Sequence, residues 1–245
     1  MSGEPAGRGY HVRRSERARR ARLTIDEQGQ AVVVLPLRAS PAVAVELVTR
    51  HAGWIERHRL RLDGERQALA GRPPLEAGRQ LRLGGMPHRV EVQRGTGPQR
   101  RSTVSLDHAG PEAWLRVRIA ALDDRPPAAV VEAWLRRRAQ AILAQRVAAL
   151  GSEIGVRPTG LAVRDQRSRW GSASSRGVLS FSWRLVLCPP WVLDYVVVHE
   201  LAHLRVSGHG PAFWRLVERH VPDARATQAR RWLRDNRVLL RRALD

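Results

Sequence analysis

PPWVLDYVVVHELAHL, residues 189–204, reads as a helix that opens on a proline pair and is apolar along most of its length. A proline at the first helical position loses no hydrogen bond, so the pair suits a helix start. Within the stretch, His199, Glu200 and His203 form an HExxH pattern. Residues four apart lie on one face of a helix, so both imidazoles can bind one metal ion. Glu200 sits one step round, placed to touch a water beside the metal rather than the metal itself. Two histidines and a glutamate on an apolar helix are costly unless a metal or hydrogen bonds satisfy them. His199 and His203 are therefore candidate metal ligands, and Glu200 is the candidate general base.

A catalytic zinc needs a third protein ligand and one open position. His209 is the first candidate, six residues after His203. That offset matches the HExxHxxGxxH pattern, but Val206 stands where that pattern has glycine, and no methionine follows to build a Met-turn. Gly208, Gly210 and Pro211 supply what the geometry needs, ending the helix and turning the chain back. Glu218 and Asp223 are the rival third ligands, and His220 reads as a surface or helix-end histidine. Tyr195, four residues before His199, is a candidate second electrophile or else a core tyrosine. Asp194 reads as an early-helix carboxylate that suits the helix dipole. GVLSFSW, residues 177–183, can run beside an extended peptide if it is a sheet edge. Phe181 and Trp183 on it, with Trp170 upstream, are the candidate substrate-binding residues; packing is the competing role for each.

Around this segment, PAAVVEAWLRRRAQAILAQRVAAL (127–150) carries a long helical pattern. LAVRDQRSRWGSASSRGVLSFSWRLVLC (161–188) reads as two strands joined around Ser174 to Gly177. AFWRLVERHV and ATQARRWLRDNRVLLRRAL read as two more helices. Nearer the N-terminus, HVRRSERARRARLTID and QAVVVLP read as strands around the turn Asp26 to Gln30. VAVELVTRHAGWIERHRLRL reads as one helix, and GERQALAGRPPLEAG as a loop. QLRLGGMPHRVEV reads as a hairpin about Gly84-Gly85, and SLDHAG with AWLRVRIAAL as another β pair. The expected class is α+β, with a boundary near Asp123 to Pro127. Residues 1–125 form a β-rich region with one helix; residues 126–245 form a zincin-like helical catalytic region with a β-hairpin and the HExxH helix.

The chain has 245 residues, 43% of them hydrophobic, enough for a substantial core. Its net charge is +20, and all 43 basic residues are arginine. Compositional bias and an acidic partner both account for such a charge, and a positive surface attracts nucleic acid nonspecifically in either case. No zinc knuckle, RNA-binding aromatic motif or P-loop accompanies it. Cys188 is the single cysteine, so neither an internal disulfide nor a cysteine metal cluster can form; this agrees with a cytoplasmic location. No apolar run approaches the ~18 residues of a membrane span. The N-terminal stretch is basic but lacks the apolar core of a secretory signal.

The flanks of the HExxH helix add a resemblance. RWGS (Arg169 to Ser172), a hairpin, DYVVVHELAHL (Asp194 to Leu204), His209 and Phe213-Trp214 follow one another. Together they resemble the YgjP-like metallopeptidase family, as do the N-terminal RRSERARRARLTID and the AGWI segment at Ala52 to Ile55. The likeness spans nearly the whole chain and is more distantly similar to SprT-like proteases. It implies His199, His203 and His209 as ligands of Zn2+, Glu200 as general base, and a peptide or protein substrate. A cysteine is common in the family where this chain has Ala173, which argues against essential thiol chemistry there. Two other functions compete: a zinc-dependent nucleotide phosphohydrolase, and a nucleic-acid-associated protease acting on DNA-bound proteins.

Overall fold

A run of twenty-eight residues from Pro127 to Ile154 makes the longest helix, α3, for reasons visible at both ends. Pro127 sits in its first turn. At its far end Gly155 takes a left-handed φ of 75°. Its N–H reaches Ser152 O (3.2 Å), and the Val156 N–H reaches Gly151 O (2.8 Å), which is the Schellman pattern. Between the ends, Val131, Leu135, Ala139, Leu143, Val147, Leu150 and Ile154 fall on one stripe and are buried.

The structure is a computed structural model that describes residues 9–26, 28–70, 74–75, 78–108, 110, 112–166, 169–221 and 224–245. The fold is mixed α+β. The chain divides into two compact units, Met1–Gly71 and Arg72–Asp245.

In the first unit, β1 (Tyr10–Ser15), β2 (Arg22–Ile25) and β3 (Ala31–Pro36) form a sheet of order β1-β3-β2. β3 is parallel to β1 and antiparallel to β2. The stretch read as a single first strand is thus two strands flanking β3. The turn at Asp26 to Gln30 forms, with the Asp26 carboxylate accepting the Gln30 N–H at 2.8 Å. Two helices follow in place of the expected one, α1 (Ala42–Arg50) and α2 (Ala52–Ala70), separated at His51. α2 runs through residues read as a loop, because Arg66 to Ala70 are good helix formers despite Gly64. Val33, Leu35, Ala44 and Ile55 close a small core.

The second unit opens with β4 (Gln80–Leu83), β5 (Met86–Arg94), β6 (Thr103–Asp107) and β7 (Trp114–Ile119), in a sheet of order β4-β5-β7-β6. The β4–β5 turn is Gly84-Gly85, both at positive φ, as a two-residue hairpin requires. Its N–H groups donate to Val186 O and Leu187 O. Leu81, Val90, Leu115 and Val117 of this sheet share one core with Leu135 and Leu143 of α3. The boundary expected near Asp123 to Pro127 therefore lies inside the second unit, between a sheet and the helix that covers it.

Beyond α3 come β8 (Gly160–Arg164), β9 (Gly171–Ala173) and β10 (Val178–Ser182), in the order β8-β10-β9. β10 is parallel to β8 and antiparallel to β9, so it is the middle strand. The β9–β10 turn at Ser174 to Gly177 forms as expected, with Gly177 at φ 78°. Residues 183–187, read as a continuing strand, instead make a 3-10 turn whose first free N–H, that of Arg184, is taken by the Ser182 hydroxyl. Then follow α4 (Pro190–Ala202), α5 (Pro211–His220), α6 (Arg225–Asp235) and α7 (Arg237–Arg241). The last expected helix breaks at Asn236 into α6 and α7. α3 packs on α4 and on the 3-10 turn. Among the described residues no helix is long and apolar enough to cross a membrane.

Candidate metal centre

α4 carries His199 in its last turn and ends with His203 as its C-cap. The helix starts on Pro190, and Val192, Val196, Val197, Val198 and Leu201 are buried at 4% exposure or less. Past His203, the Val206 N–H still donates to Ala202 O at 2.9 Å. Gly208 then takes a φ of 76°, and the chain turns so that His209 faces back toward α4 before Pro211 starts α5. The three imidazoles meet: each offers a ring nitrogen, and all three nitrogens lie within 4.8 Å of one another. Nε2 of His209 lies 3.2 Å from Nε2 of His199.

Phe213, in the first turn of α5 and fully enclosed, forms the floor beneath these rings. Its ring centroid is 4.9 Å from His199, 4.5 Å from His203 and 4.8 Å from His209. Nδ1 of His199 is buried without a hydrogen-bond partner among the described residues, so packing orients that ring. Burial first, and the neighbouring His203, His209 and Arg230 after it, push His199 down to about 4. Burial also lowers His203. Both imidazoles are therefore neutral near pH 7, the state in which a lone pair is free for a metal.

Glu200 points to the other wall. It is 7% exposed, and burial pushes its carboxyl up to about 7 despite the Ala173 N–H and the Arg169 charge, which favour the ionised form. That wall is β9. A Cβ on Gly171 would stand 2.7 Å from both Cγ and Oε1 of Glu200, so only glycine lets the carboxyl lie against the strand. Gly171 to Ser175 and His199, Glu200, His203 and His209 line an open cleft of about 420 Å³. Among the described residues β9 pairs with β10 on one side only, and its outer edge borders this cleft.

The profile of the YgjP-like metallopeptidase domain matches residues 19–236. The chain belongs to that family. Among solved structures, it is similar to the metallopeptidase zymogen of Pyrococcus abyssi abylysin, with 23% identity over 38% of this chain and 92% of that one, at a TM-score of 0.35. No curated protein matches it.

Within the YgjP-like domain, the expected residues His199, Glu200, His203 and His209 are brought together. The aromatic residues expected to bind substrate are not. Phe181 and Trp183 are 0% and 1% exposed, because β10 is the middle strand and the 3-10 turn after it sinks into the core. Trp170 is half-buried against that core and does not line the cleft. Tyr195 lies one turn deeper than His199, 4% exposed, its ring 5.9 Å from the imidazole and outside the cleft lining. A side chain one turn before a rim residue points down toward the helix start, so Tyr195 packs instead of facing a substrate. Glu218 is exposed on α5 and outside the histidine group, and Asp223 lies outside the described residues. His220 is a helix-end histidine on Leu216 O. Asp194 does more than suit a dipole: Arg146 of α3 grips it with Nε at 2.6 Å and Nη2 at 3.0 Å, tying α3 to the HExxH helix. Gly171 and Phe213 are the parts of the site that sequence reasoning assigned no role there. The RWGS segment and the Phe-Trp pair were the signals that held them.

Proposed function

We propose that this chain is a zinc-dependent peptidase in which His199, His203 and His209 hold the metal and Glu200 is the general base. The observation that carries this is the convergence of three imidazoles beside a buried carboxyl, in a cleft bordered by the outer edge of a strand. The donor set suits the ion. Two nitrogens that each lie ~2.0 Å from one tetrahedral zinc are ~3.3 Å apart. The Nε2 atoms of His199 and His209 are 3.2 Å apart. An all-imidazole set also suits zinc by ligand type.

Bound there, zinc supplies Lewis acidity to a carbonyl and to water. The chain's own residues do the rest. Glu200, with its carboxyl poised at about 7, accepts a proton from the attacking water and returns it to the leaving nitrogen. The Ala173 N–H holds that carboxylate against the β9 wall, while Gly171 leaves room for it. The backbone groups of the β9 edge that Glu200 leaves free would pair with an extended peptide, fixing its carbonyl over the histidines. Phe213 keeps the three rings in place and water out from below.

Metal analysis of the purified protein, paired with a peptide-library screen and a Glu200→Gln control, tests the proposal. One zinc per chain is expected, with turnover lost by at least ~10³-fold in Glu200→Gln. A zinc-loaded protein that cleaves nothing in a broad library would sink it.

A further inference from the structure

Six of the ten residues 13–22 are arginine, against 43 in the 245 residues of the chain. Compositional bias spreads charge evenly and leaves such a run unexplained. The run spans the second half of β1, the connection to β2 and the first residue of β2. Arg14 alone is committed within the unit, its Nη1 donating to the carbonyls of Pro36, Leu37 and Ala39. Arg13, Arg17, Arg19, Arg20 and Arg22 are all exposed, and none has a carboxylate partner among the described residues. Glu16 is the only acidic residue between Gly9 and Ile25. In the second unit, by contrast, carboxylates answer several arginines: Glu91 and Asp107 answer Arg116, Asp194 answers Arg146, and Asp165 answers Arg184.

The sheet register gathers the five free arginines. Arg13 and Arg22 both stand opposite Val34 of β3. Residues directly opposite share a face, and this face is turned away from Val33 and Leu35, which close the small core. Val34 is 2% exposed while both arginines are exposed, so the charged arms present this face to solvent. Neighbouring strands lie ~4.8 Å apart, which sets Arg13 and Arg22 ~10 Å apart across β3. Arg17, Arg19 and Arg20 lie on the connection that joins those two strands at the same end of the sheet. The patch is narrower than one turn of a duplex, ~34 Å, so its charges meet one stretch of backbone. The guanidinium fork matches phosphate oxygens two at a time. Unstacked bases need an aromatic platform, and Tyr10, the only Phe, Tyr or Trp between Gly9 and Ile25, is buried in the core. A duplex backbone needs charge alone. We infer that this arginine face of the first unit binds the phosphate backbone of a nucleic-acid duplex without reading its bases. The inference goes beyond the peptidase reading and does not depend on it.

The test measures binding of the full chain to a fluorescent DNA duplex of about 20 base pairs by anisotropy, over a series of salt concentrations. Each phosphate neutralised adds about 0.9 to the slope of log Kd against log salt, so five contacts give a slope of about 4. Replacing Arg13, Arg17, Arg19, Arg20 and Arg22 together by Gln should remove most of that slope and weaken binding at least tenfold at about 0.1 M salt. The control removes five exposed charges from α5 and α6 instead, as Arg215→Gln, Arg219→Gln, Arg225→Gln, Arg231→Gln and Arg234→Gln, and should leave Kd within about threefold. A third variant changes only Arg17, Arg19 and Arg20, which lie outside the strands, and should lower the slope by two to three. Urea midpoints check that each variant is folded; if the fivefold change unfolds the first unit, the threefold one decides. Equal losses in the cleft-side control and the fivefold variant show that the charge acts diffusely and overturn the inference. So does a wild type that fails to bind duplex at about 0.1 M salt, or one that binds a single strand of the same length more tightly than the duplex.

Discussion

Gly171→Ala isolates the fit between β9 and Glu200. The new Cβ would meet Cγ and Oε1 of Glu200 at 2.7 Å and Cδ at 3.0 Å, whereas ordinary contact begins at 3.4 Å. The carboxyl must therefore retreat by about 0.7 Å or more, and about 1 Å of misplacement in a reacting group is worth about 10²-fold in rate. The backbone itself is not strained, since Gly171 is not at positive φ. Alanine in an accessible strand conformation stabilises by ~0.4–1 kcal/mol through the unfolded chain. The clash falls on a side chain that can swing, so that gain is largely kept. The three atoms nearest the new methyl all belong to Glu200, so the histidines are not the first to be displaced. The variant should thus fold, bind one metal and lose about 10²-fold in kcat. The assay is steady-state kcat and KM on a cleaved peptide, with metal content and a urea midpoint measured on the same preparation. Wild-type kcat in a folded, loaded variant would refute the idea that Glu200 works from the β9 wall. Loss of metal or of the fold would show instead that Gly171 serves structure rather than the carboxyl.

Three more expectations follow from the same geometry. His209→Ala leaves two imidazoles and should weaken metal binding at least ~10-fold while α4 stays folded; a competition titration with a chelator of known affinity measures it, and unchanged affinity rules out His209 as a ligand. In the metal-free protein Glu200 titrates at about 7 against an ordinary 4.5, so the native state keeps a proton the unfolded chain has released. That contribution is full below pH 4.5 and lost as pH rises through 7; Glu200→Gln should flatten the urea-midpoint curve over this window, and parallel curves would contradict the burial argument. Arg146 and Asp194 form a two-pronged pair with side chains 37% and 30% exposed. A double-mutant cycle of Arg146→Ala and Asp194→Ala should give about 0.5–1 kcal/mol of coupling, and zero coupling would mean that packing alone holds α3 on α4.

Much of the centre was legible in sequence because its grammar is local. His199 and His203 are one helical turn apart, and His209 follows through a glycine turn, so short-range geometry brings all three together. The Ser174–Gly177 and Gly84-Gly85 turns were legible for the same reason, as both depend on residues that tolerate their own backbone angles. Strand neighbours were not. GVLSFSW alternates in the way that either an edge or a middle strand can, and its place was settled when β8 paired with its other side. That pairing buries Phe181 and Trp183 and leaves three-residue β9, too short to carry a pattern, as the edge on the cleft. The boundary near Asp123 followed a change in secondary structure, whereas compactness follows shared core, which runs through it.

By itself, the sequence determined the HExxH helix, the three histidines that meet at its end and the family to which the chain belongs. Tertiary structure alone decided that Glu200 lies against Gly171, that Phe213 floors the histidines and that Arg146 ties α3 to the HExxH helix. The first set depends on residues within about three helical turns of one another, where backbone geometry dictates who meets whom. The second depends on contacts between distant segments, which exist only once a single packed core has brought those segments together.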